Sequence, residues 1–535
     1  MAGLRQAQTR VNRGRTSQTR SIPAPVGGWN VRDSIADMDD KDAVILNNMF
    51  CLPDTVINRK GSLQWVTGIT GTVETIASYQ KQDGTSKLFA SSGTSPNVAI
   101  YDVTSSGAVG AAVVSGKSSD KWQYLNFSTP GGQYLYMVNG VDSPMLYDGA
   151  AWTAITGVSV PAITGVTTST FIHINTFKQR LFFIEANSMS AWYLPVQSIG
   201  GAASELDFSS FCKRGGYLMA MFTWTFDAGY GMDDHAVFVT SEGEVLVYRG
   251  TDPASVATWG LVGIYTIGRP IGRRCGKTMG KDILIICQDG VFPLSQAIVT
   301  SLVTNKAAIT DKIQAAASEA VTNYGSNFGW EILIFPLEDM VILNIPIGTN
   351  LSSQYVMNAI TGAWSSWTNL NASCWVEQNG AIYFGGLGTV WKAWIGTSDA
   401  INTSAAPGTY ATSNMEFEAL QAFSYLGIHS LKAMKLCRPV VAVDSPSIGL
   451  LAGVNVDYDT SAPTGVFSVS SVSAGVYDTS LYDQAVYGGS FTINKDWLNA
   501  SGLGYAIAMH IVGSSQTGSF RWASTDYIFQ TASGI

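Results

Sequence analysis

Charged side chains are in short supply. Asp, Glu, Lys and Arg make up 13% of this 535-residue chain, about half the usual share of a soluble protein. The surface must therefore be built from Ser, Thr, Asn and Gly, or be covered by partners. Histidine occurs only at His173, His235, His429 and His510, and none sits three or four residues from another common metal ligand in a way that suggests a site. Asp233-Asp234-His235 is the nearest approach to a cluster, but adjacent residues point in different directions and make poor co-ligands. No metal site is expected. The six cysteines, Cys51, Cys212, Cys275, Cys287, Cys374 and Cys437, include no CxxC pair. That excludes a zinc framework and a dense disulfide scaffold, and it predicts buried free thiols. No apolar run approaches the roughly 18 residues needed to span a bilayer. Residues 1–21 lack the apolar stretch of a secretory signal, so the chain is expected to fold in the cytoplasm where it is made.

Catalytic signatures are equally scarce. Gly272-Arg273-Arg274-Cys275-Gly276-Lys277-Thr278 looks like a phosphate-binding loop but is one residue short between its glycines. It also precedes a strand, Ile283-Leu284-Ile285-Ile286, where phosphate binding would need a following helix. No Gly-x-Ser-x-Gly elbow occurs in a helical context. Carboxylates are plentiful, but nothing marks a pair for glycoside hydrolysis. No catalytic residue and no cofactor is expected. The 15 Trp and 22 Tyr read first as core and cross-strand pairs, and second as platforms for sugars.

What the chain does have is strand and turn chemistry. It holds 55 glycines and 46% hydrophobic residues, with Thr, Val and Tyr abundant, which favours strands over helices. Net charge is −8, and residues 1–20 carry Arg5, Arg10, Arg13, Arg15 and Arg20 with no acid. Removing those five charges leaves −13 on the other 515 residues. A basic arm on an acidic body suggests docking of those arginines to an acidic partner, the alternative being a solvated terminus.

The strongest hairpin signal is Asn379-Gly380 between Trp375–Gln378 and Ala381–Phe384, since Asn-Gly supplies the positive φ angles of a type I′ turn. Related marks stand at Asp83-Gly84, Asn139-Gly140, Asn187-Ser188, Glu242-Gly243, Asp289-Gly290 and Glu338-Asp339. Their first members, with Asn379 closing the series, are 56, 48, 55, 47, 49 and 41 residues apart. That is the recurrence of four-stranded propeller blades. Asp-rich residues before Ala43, Leu46 and Phe50, which share one helical face, predict a short helix over 37–50. Thr310 predicts the N-cap of a second helix running to Val321. After a Thr/Ser/Ala-rich stretch at 403–406 the chain reads again as strands, including Val454–Tyr458, and Tyr477-Asp478, Tyr482-Asp483 and Tyr487 recur at intervals of five. The expected fold is all-β with few short helices. It comprises a basic arm (1–20), a linker with a short helix (21–61), a β-propeller-like body (62–410) and a second, sandwich-like C-terminal β-domain (411–535).

An ordered series of segments carries a family resemblance. It begins with Gly27-Gly28-Trp29-Asn30, Asn47-Asn48 and Asn58-Arg59-Lys60-Gly61. It continues with Phe238–Val245, Tyr248-Arg249-Gly250-Thr251-Asp252-Pro253 and Trp259. Then come Gly268–Gly272, Gln288–Val291, Pro293-Leu294-Ser295, the segment from Thr310, Leu343–Pro346 and Asn358–Trp364. Together they resemble the tail nozzle, or tail hub, proteins of short-tailed bacteriophages, also called tail tubular protein B or packaged-DNA stabilisation proteins. The likeness covers residues 20–65 and 230–395 best, and no single motif in it is diagnostic. It implies a virion structural protein, not an enzyme: a hexameric, largely β-propeller ring below the portal and adaptor. Such a ring would retain packaged double-stranded DNA, conduct it during ejection, and contact tail fibre or spike proteins. The basic arm is not part of the resemblance.

The composition is compatible with that implication. Six copies burying neutral Ser/Thr/Gly-rich flanks would explain the low charge and would cover sheet edges that otherwise invite aggregation. An acidic channel would let DNA slide instead of binding it. The competing reading is a carbohydrate-binding or glycoside-cleaving β-propeller at a host surface. A fibre or spike component is a third reading, against which no repetitive shaft is visible.

Overall fold

Many of the strands are apolar at every position, which requires both of their faces to be covered. The computed structural model explains how; it describes residues 17–227, 232–299, 308–402, 410–445, 447–469 and 491–531. In Leu181-Phe182-Phe183-Ile184, Leu181 and Phe183 point into one hydrophobic cluster, and Phe182 and Ile184 into another. Ile283-Leu284-Ile285-Ile286 divides in the same alternating way. Each sheet is thus the wall between two cores, the arrangement of a β-propeller.

Seven sheets follow one another. Blade 1 holds residues 73–80 with Ser86–Ser92, Val98–Asp102 and Ala112–Lys117; blade 2 holds Gln123–Thr129, Gly132–Val138, Met145–Tyr147 and Trp152–Ala154. Blade 3 holds Phe171–Phe177, Arg180–Glu185, Ser190–Tyr193 and Ser204–Asp207; blade 4 holds Leu218–Asp227, Met232–Thr240, Glu244–Gly250 and Trp259–Thr266. Among the described residues blade 5 has three strands, Gly276–Met279, Asp282–Cys287 and Gly290–Pro293, followed by the short helix Leu294–Val299. Blade 6 holds Glu331–Phe335, Met340–Gly348, Leu351–Asn358 and Trp364–Trp367, and blade 7 opens with Cys374–Gln378 and Ala381–Ala393. The first strands neighbour one another in sequence, and that of blade 7 returns to that of blade 1. Closure comes from one long strand, Ser62–Gln80. Its first part pairs with Ala381–Ala393 and its second with Ser86–Ser92, so it belongs to blades 7 and 1 together. One hydrophobic cluster fills each gap between adjacent blades.

The seven turn marks of the sequence fall one to a blade. Asp83, Glu338 and Asn379 stand between first and second strands, and Asn139, Asn187, Glu242 and Asp289 between second and third. Asn379 and Gly380 take φ of 52° and 71°, as the type I′ turn requires.

The remaining strands form a β-sandwich. One of its sheets continues blade 6: beyond Trp364–Trp367 lie Asp42–Asn47, Tyr410–Gln421, Ile507–Ser515 and Gly449–Val456. The facing sheet holds Thr492–Asn494, Lys432–Val443, Phe520–Thr531, Val56–Asn58 and Met49–Cys51, with Gln18–Pro23 also paired to Phe520–Thr531. Leu46, Val56, Phe417, Met434, Ile507, Met509, Phe520, Trp522 and Tyr527 fill the space between them.

Three expectations are corrected. Residues 37–50 are not helical: Asp42–Asn47 and Met49–Cys51 are strands, joined through Asn48 at φ 53°. Ala43 and Leu46 are buried as helical spacing suggested, but the strand's backbone partner is Tyr410–Gln421, hundreds of residues away, and no local pattern reveals it. Residues 21–61 are accordingly not a linker but part of the sandwich, and the arm's last residues, 18–20, are already strand. Thr310 caps nothing; its Oγ1 accepts the backbone N–H of Val291, a 3-10 turn covers Asp311–Ile313, and the α-helix is Gln314–Tyr324. That helix packs against Met340–Gly348, its Ala320 and Val321 joining the cluster between blades 5 and 6. The Tyr-Asp repeat at 477–487 lies outside the described residues.

Candidate functional site

The first strands of a propeller run side by side, so the loops that enter them gather at one end of the axis. Here that end brings together Glu74 of blade 1, Asp120 and Lys121 before blade 2, Arg273 and Arg274 before blade 5, and Glu331 at the start of blade 6. A cavity of about 510 Å³ occupies the axis below, lined among others by Tyr124, His173, Lys277, Glu331 and Glu377. A second recess of about 360 Å³ opens between Glu74, Lys121, Phe328 and Asn371.

The segment that looked like a phosphate loop supplies the central group. Arg274 donates to Glu331 Oε2 at 3.1 Å, to the Glu74 carbonyl at 3.0 Å, to Thr75 Oγ1 at 2.8 Å and to the Trp122 carbonyl at 3.1 Å. One guanidinium thereby ties blade 5 to blades 1, 2 and 6. Arg273 reaches the Asn139 carbonyl of blade 2 at 3.0 Å. Gly276-Lys277-Thr278 is strand, paired with Ile283–Ile285, and offers no helix N-terminus to a phosphate. The loop spans the axis and fastens the ring.

The carboxylates here feel their burial. It raises Glu74 to about 7, with Asp120 adding to the effect, and it raises Asp120 in turn. Glu331 is pushed up by burial against the pull of Arg274, and it also accepts the Trp375 N–H. Phe328 lies between two cations, 4.6 Å from Lys121 Nζ and 4.9 Å from the Arg274 guanidinium carbon. A Glu poised near neutrality could pass a proton, but Glu331 and Arg274 spend their hydrogen bonds on neighbouring blades. The arrangement is that of a fastening. None of these acids was singled out in the sequence, because what perturbs them is burial at the meeting of four blades.

The remaining candidates are dispersed. Arg5, Arg10, Arg13 and Arg15 lie outside the described residues. Arg20 is exposed in Gln18–Pro23, opposite Tyr527. His173 lines the axis, and burial, assisted by Arg273, lowers it to about 4. Asp234 is held below the usual carboxylate range chiefly by its hydrogen bond from Lys178. His429 packs against Tyr425, and His510 meets Glu418 at 2.9 Å. Among the described residues no three His, Cys, Asp or Glu side chains form a metal-sized cluster. No helix of the described residues is long and apolar enough to cross a membrane. The six cysteines are free thiols, all buried except the half-buried Cys212.

Two of the segments that carry the family resemblance, Asn58–Gly61 and Gly27–Asn30, sit at the joint between propeller and sandwich. Asn58 accepts the Phe520 N–H at 2.8 Å. Arg59 makes an ion pair with Asp399 at 2.6 Å, both side chains 0% exposed. Lys60 lies over Trp394 and pairs with Glu338. Gly61 passes so close to Ser398 that a Cβ would stand 1.9 Å from its carbonyl oxygen. At the other segment, Gly28 takes φ +84° against the Trp364 backbone, and Asn30 donates to Asp33 and Asp42, each at 2.8 Å. Lys312 bonds Asp42 at 2.6 Å and the Gly27 carbonyl at 3.1 Å, tying in the start of the helical segment.

No family model matches the chain, and no curated protein does. Several solved structures are similar to it. The BBS1N–ARL6DN complex soaked with mercury aligns at 11% identity and a TM-score of 0.35, over 63% of this chain and 97% of that one. The Cps50 (Swd1) β-propeller domain of Myceliophteria thermophila aligns at 12% and 0.38, over 63% and 99%. The exo-β-1,3-galactanase of Phanerochaete chrysosporium aligns at 9% and 0.24, over 77% and 97%.

Proposed function

We propose that this chain is a structural subunit of a bacteriophage tail, assembled as a ring, with six copies as the expected number. In this reading the ring lies below the portal and adaptor, retains packaged DNA and conducts it at ejection. The ordered series of nozzle-like segments carries the proposal. Its support in the fold is that Gly27–Asn30 and Asn58–Gly61 fasten the propeller to the sandwich, the role that residues of a load-carrying scaffold would have. A second support lies on the axis. Arg273 and Arg274 cross it, so no polymer threads a single propeller, and a conduit belongs between copies. The acidic body, −13 outside the arm, would line such a conduit without holding phosphate.

Native mass spectrometry and negative-stain microscopy of the full chain test this. A closed ring, alone or in purified particles, is the expected result. A monomer in both settings removes the reading. Localisation of the chain away from the central axis of a tail would reassign it to a fibre or spike.

A further inference from the structure

The segment Gly272–Thr278 offers an anion no helix N-terminus, but it brings two uncommitted cations to the axial cavity. Arg273 and Lys277 both line this space of about 510 Å³, a volume in the range of small-molecule sites. Arg274 spends its guanidinium on blades 1, 2 and 6. Arg273, by contrast, hydrogen-bonds only the Asn139 carbonyl, and Lys277 makes no hydrogen bond or ion pair among the described residues. Both side chains are exposed.

The same cavity is lined by two neutral donors that the chain leaves unanswered. His173 is only 8% exposed. The Met221 N–H donates to its Nδ1 at 3.4 Å, which puts the ring proton on Nε2. Burial, assisted by Arg273, lowers the ring to about 4, so at neutral pH it donates from Nε2 without carrying charge. That nitrogen has no partner among the described residues. Gln123 Nε2 is buried and also has none. A buried donor without an acceptor calls for a group that supplies one.

The carboxylates of the lining do not supply it. Glu331 accepts from Arg274 at 3.1 Å and from the Trp375 N–H, and Glu377 accepts the Gly380 N–H at 2.9 Å. Arg273, Arg274 and Lys277 stand against Glu331 and Glu377, so the lining carries three positive charges and two negative. A metal cation would meet the wrong charge, and an apolar ligand would leave both donors unpaired. An oxyanion brings negative charge and several acceptor lone pairs, and its hydrogen bonds to Lys and Arg are the strong, charge-assisted kind.

We propose that the axial cavity binds a small oxyanion, a phosphate or a carboxylate group, through Arg273, Lys277, His173 Nε2 and Gln123 Nε2. One copy of the chain contains the whole site, so it stands whether or not the ring forms.

The test is a calorimetric titration of the full chain with inorganic phosphate, and with citrate as the carboxylate, at ionic strength held constant with chloride. At least one anion should bind saturably and raise the melting temperature. A response to phosphate alone assigns the site to phosphates, and a response to citrate alone assigns it to carboxylates. Lys277→Gln removes an exposed charge that has no partner. Gln123→Leu replaces an unanswered buried amide with an apolar group of similar size, a change that is often neutral for stability. Both variants should keep the fold, and each should weaken binding about tenfold or more, equivalent to about 1.4 kcal/mol. Absence of a saturable response to either anion overturns the proposal and leaves the cavity to water. A response that chloride reproduces overturns it too, as does undiminished binding by the folded variants. If only one variant folds, that one decides.

Discussion

Arg59 lies in the link between the sandwich strand Val56–Asn58 and the propeller strand Ser62–Gln80, and removing its charge should loosen both. Its guanidinium donates to Asn48 Oδ1 at 2.9 Å, the Lys60 carbonyl at 3.1 Å, the Thr368 carbonyl at 2.9 Å and Asp399 Oδ2 at 2.6 Å. Neither member of the ion pair touches solvent, and Asp399 Oδ1 accepts no hydrogen bond. Arg59→Met keeps most of the volume but strands a buried carboxylate, which costs about 3–5 kcal/mol. With about 2.1 cal/mol/K per residue of unfolding entropy, the 535 residues give roughly 1.1 kcal/mol/K if they melt together. The melting temperature should then fall by about 3–5 °C. Scanning fluorimetry at a fixed heating rate reads this directly. The double variant Arg59→Met/Asp399→Leu leaves no buried charge and should recover most of the loss, because a well-packed apolar pair is often as stable as a buried ion pair. A single variant melting within about 1 °C of wild type would refute the reasoning, as would a double variant no better than the single.

Burial raises Glu74 to about 7, so the folded state binds its proton more tightly than the unfolded chain does. Stability from this group is complete below the unfolded carboxylate range, near pH 4.5, and declines as the pH rises toward 7. Urea midpoints across that window should fall less steeply in Glu74→Gln, and an unchanged slope would count against the shift. Glu418 is held below its usual range by its hydrogen bond from His510, so its contribution is present above the unfolded carboxylate range and lost as the pH falls through the lowered value. Glu418→Gln should remove that acid-side loss, which melts taken between pH 3 and 5 would reveal. Deleting residues 1–16 removes Arg5, Arg10, Arg13 and Arg15. Melting should be unchanged, while attachment to the tail should weaken if those arginines dock to carboxylates of a neighbour. Normal assembly with altered DNA release would assign the arm to DNA, and normal behaviour in both respects would make it passive.

Strand chemistry, blade recurrence and the hairpin at Asn379-Gly380 were legible in the sequence, because φ preferences and strand-turn spacing are local properties. Seven marks, one per blade, follow from that, as does the all-β class. The doubled hydrophobic runs such as Leu181–Ile184 likewise announce sheets covered on both sides. Other features depend on which distant segment supplies the missing partner, and no local pattern holds that information. Residues 37–50 satisfy helical spacing, yet Asp42–Asn47 is a strand because Tyr410–Gln421 offers it a hydrogen-bonding edge. Thr310 has the chemistry of a cap, but Val291 claims its hydroxyl. Gly272–Thr278 resembles a phosphate loop, and only closure of the ring makes Arg274 a tie between four blades. Glu74 and Glu331 are unremarkable in sequence and acquire their proton affinity from burial at that junction.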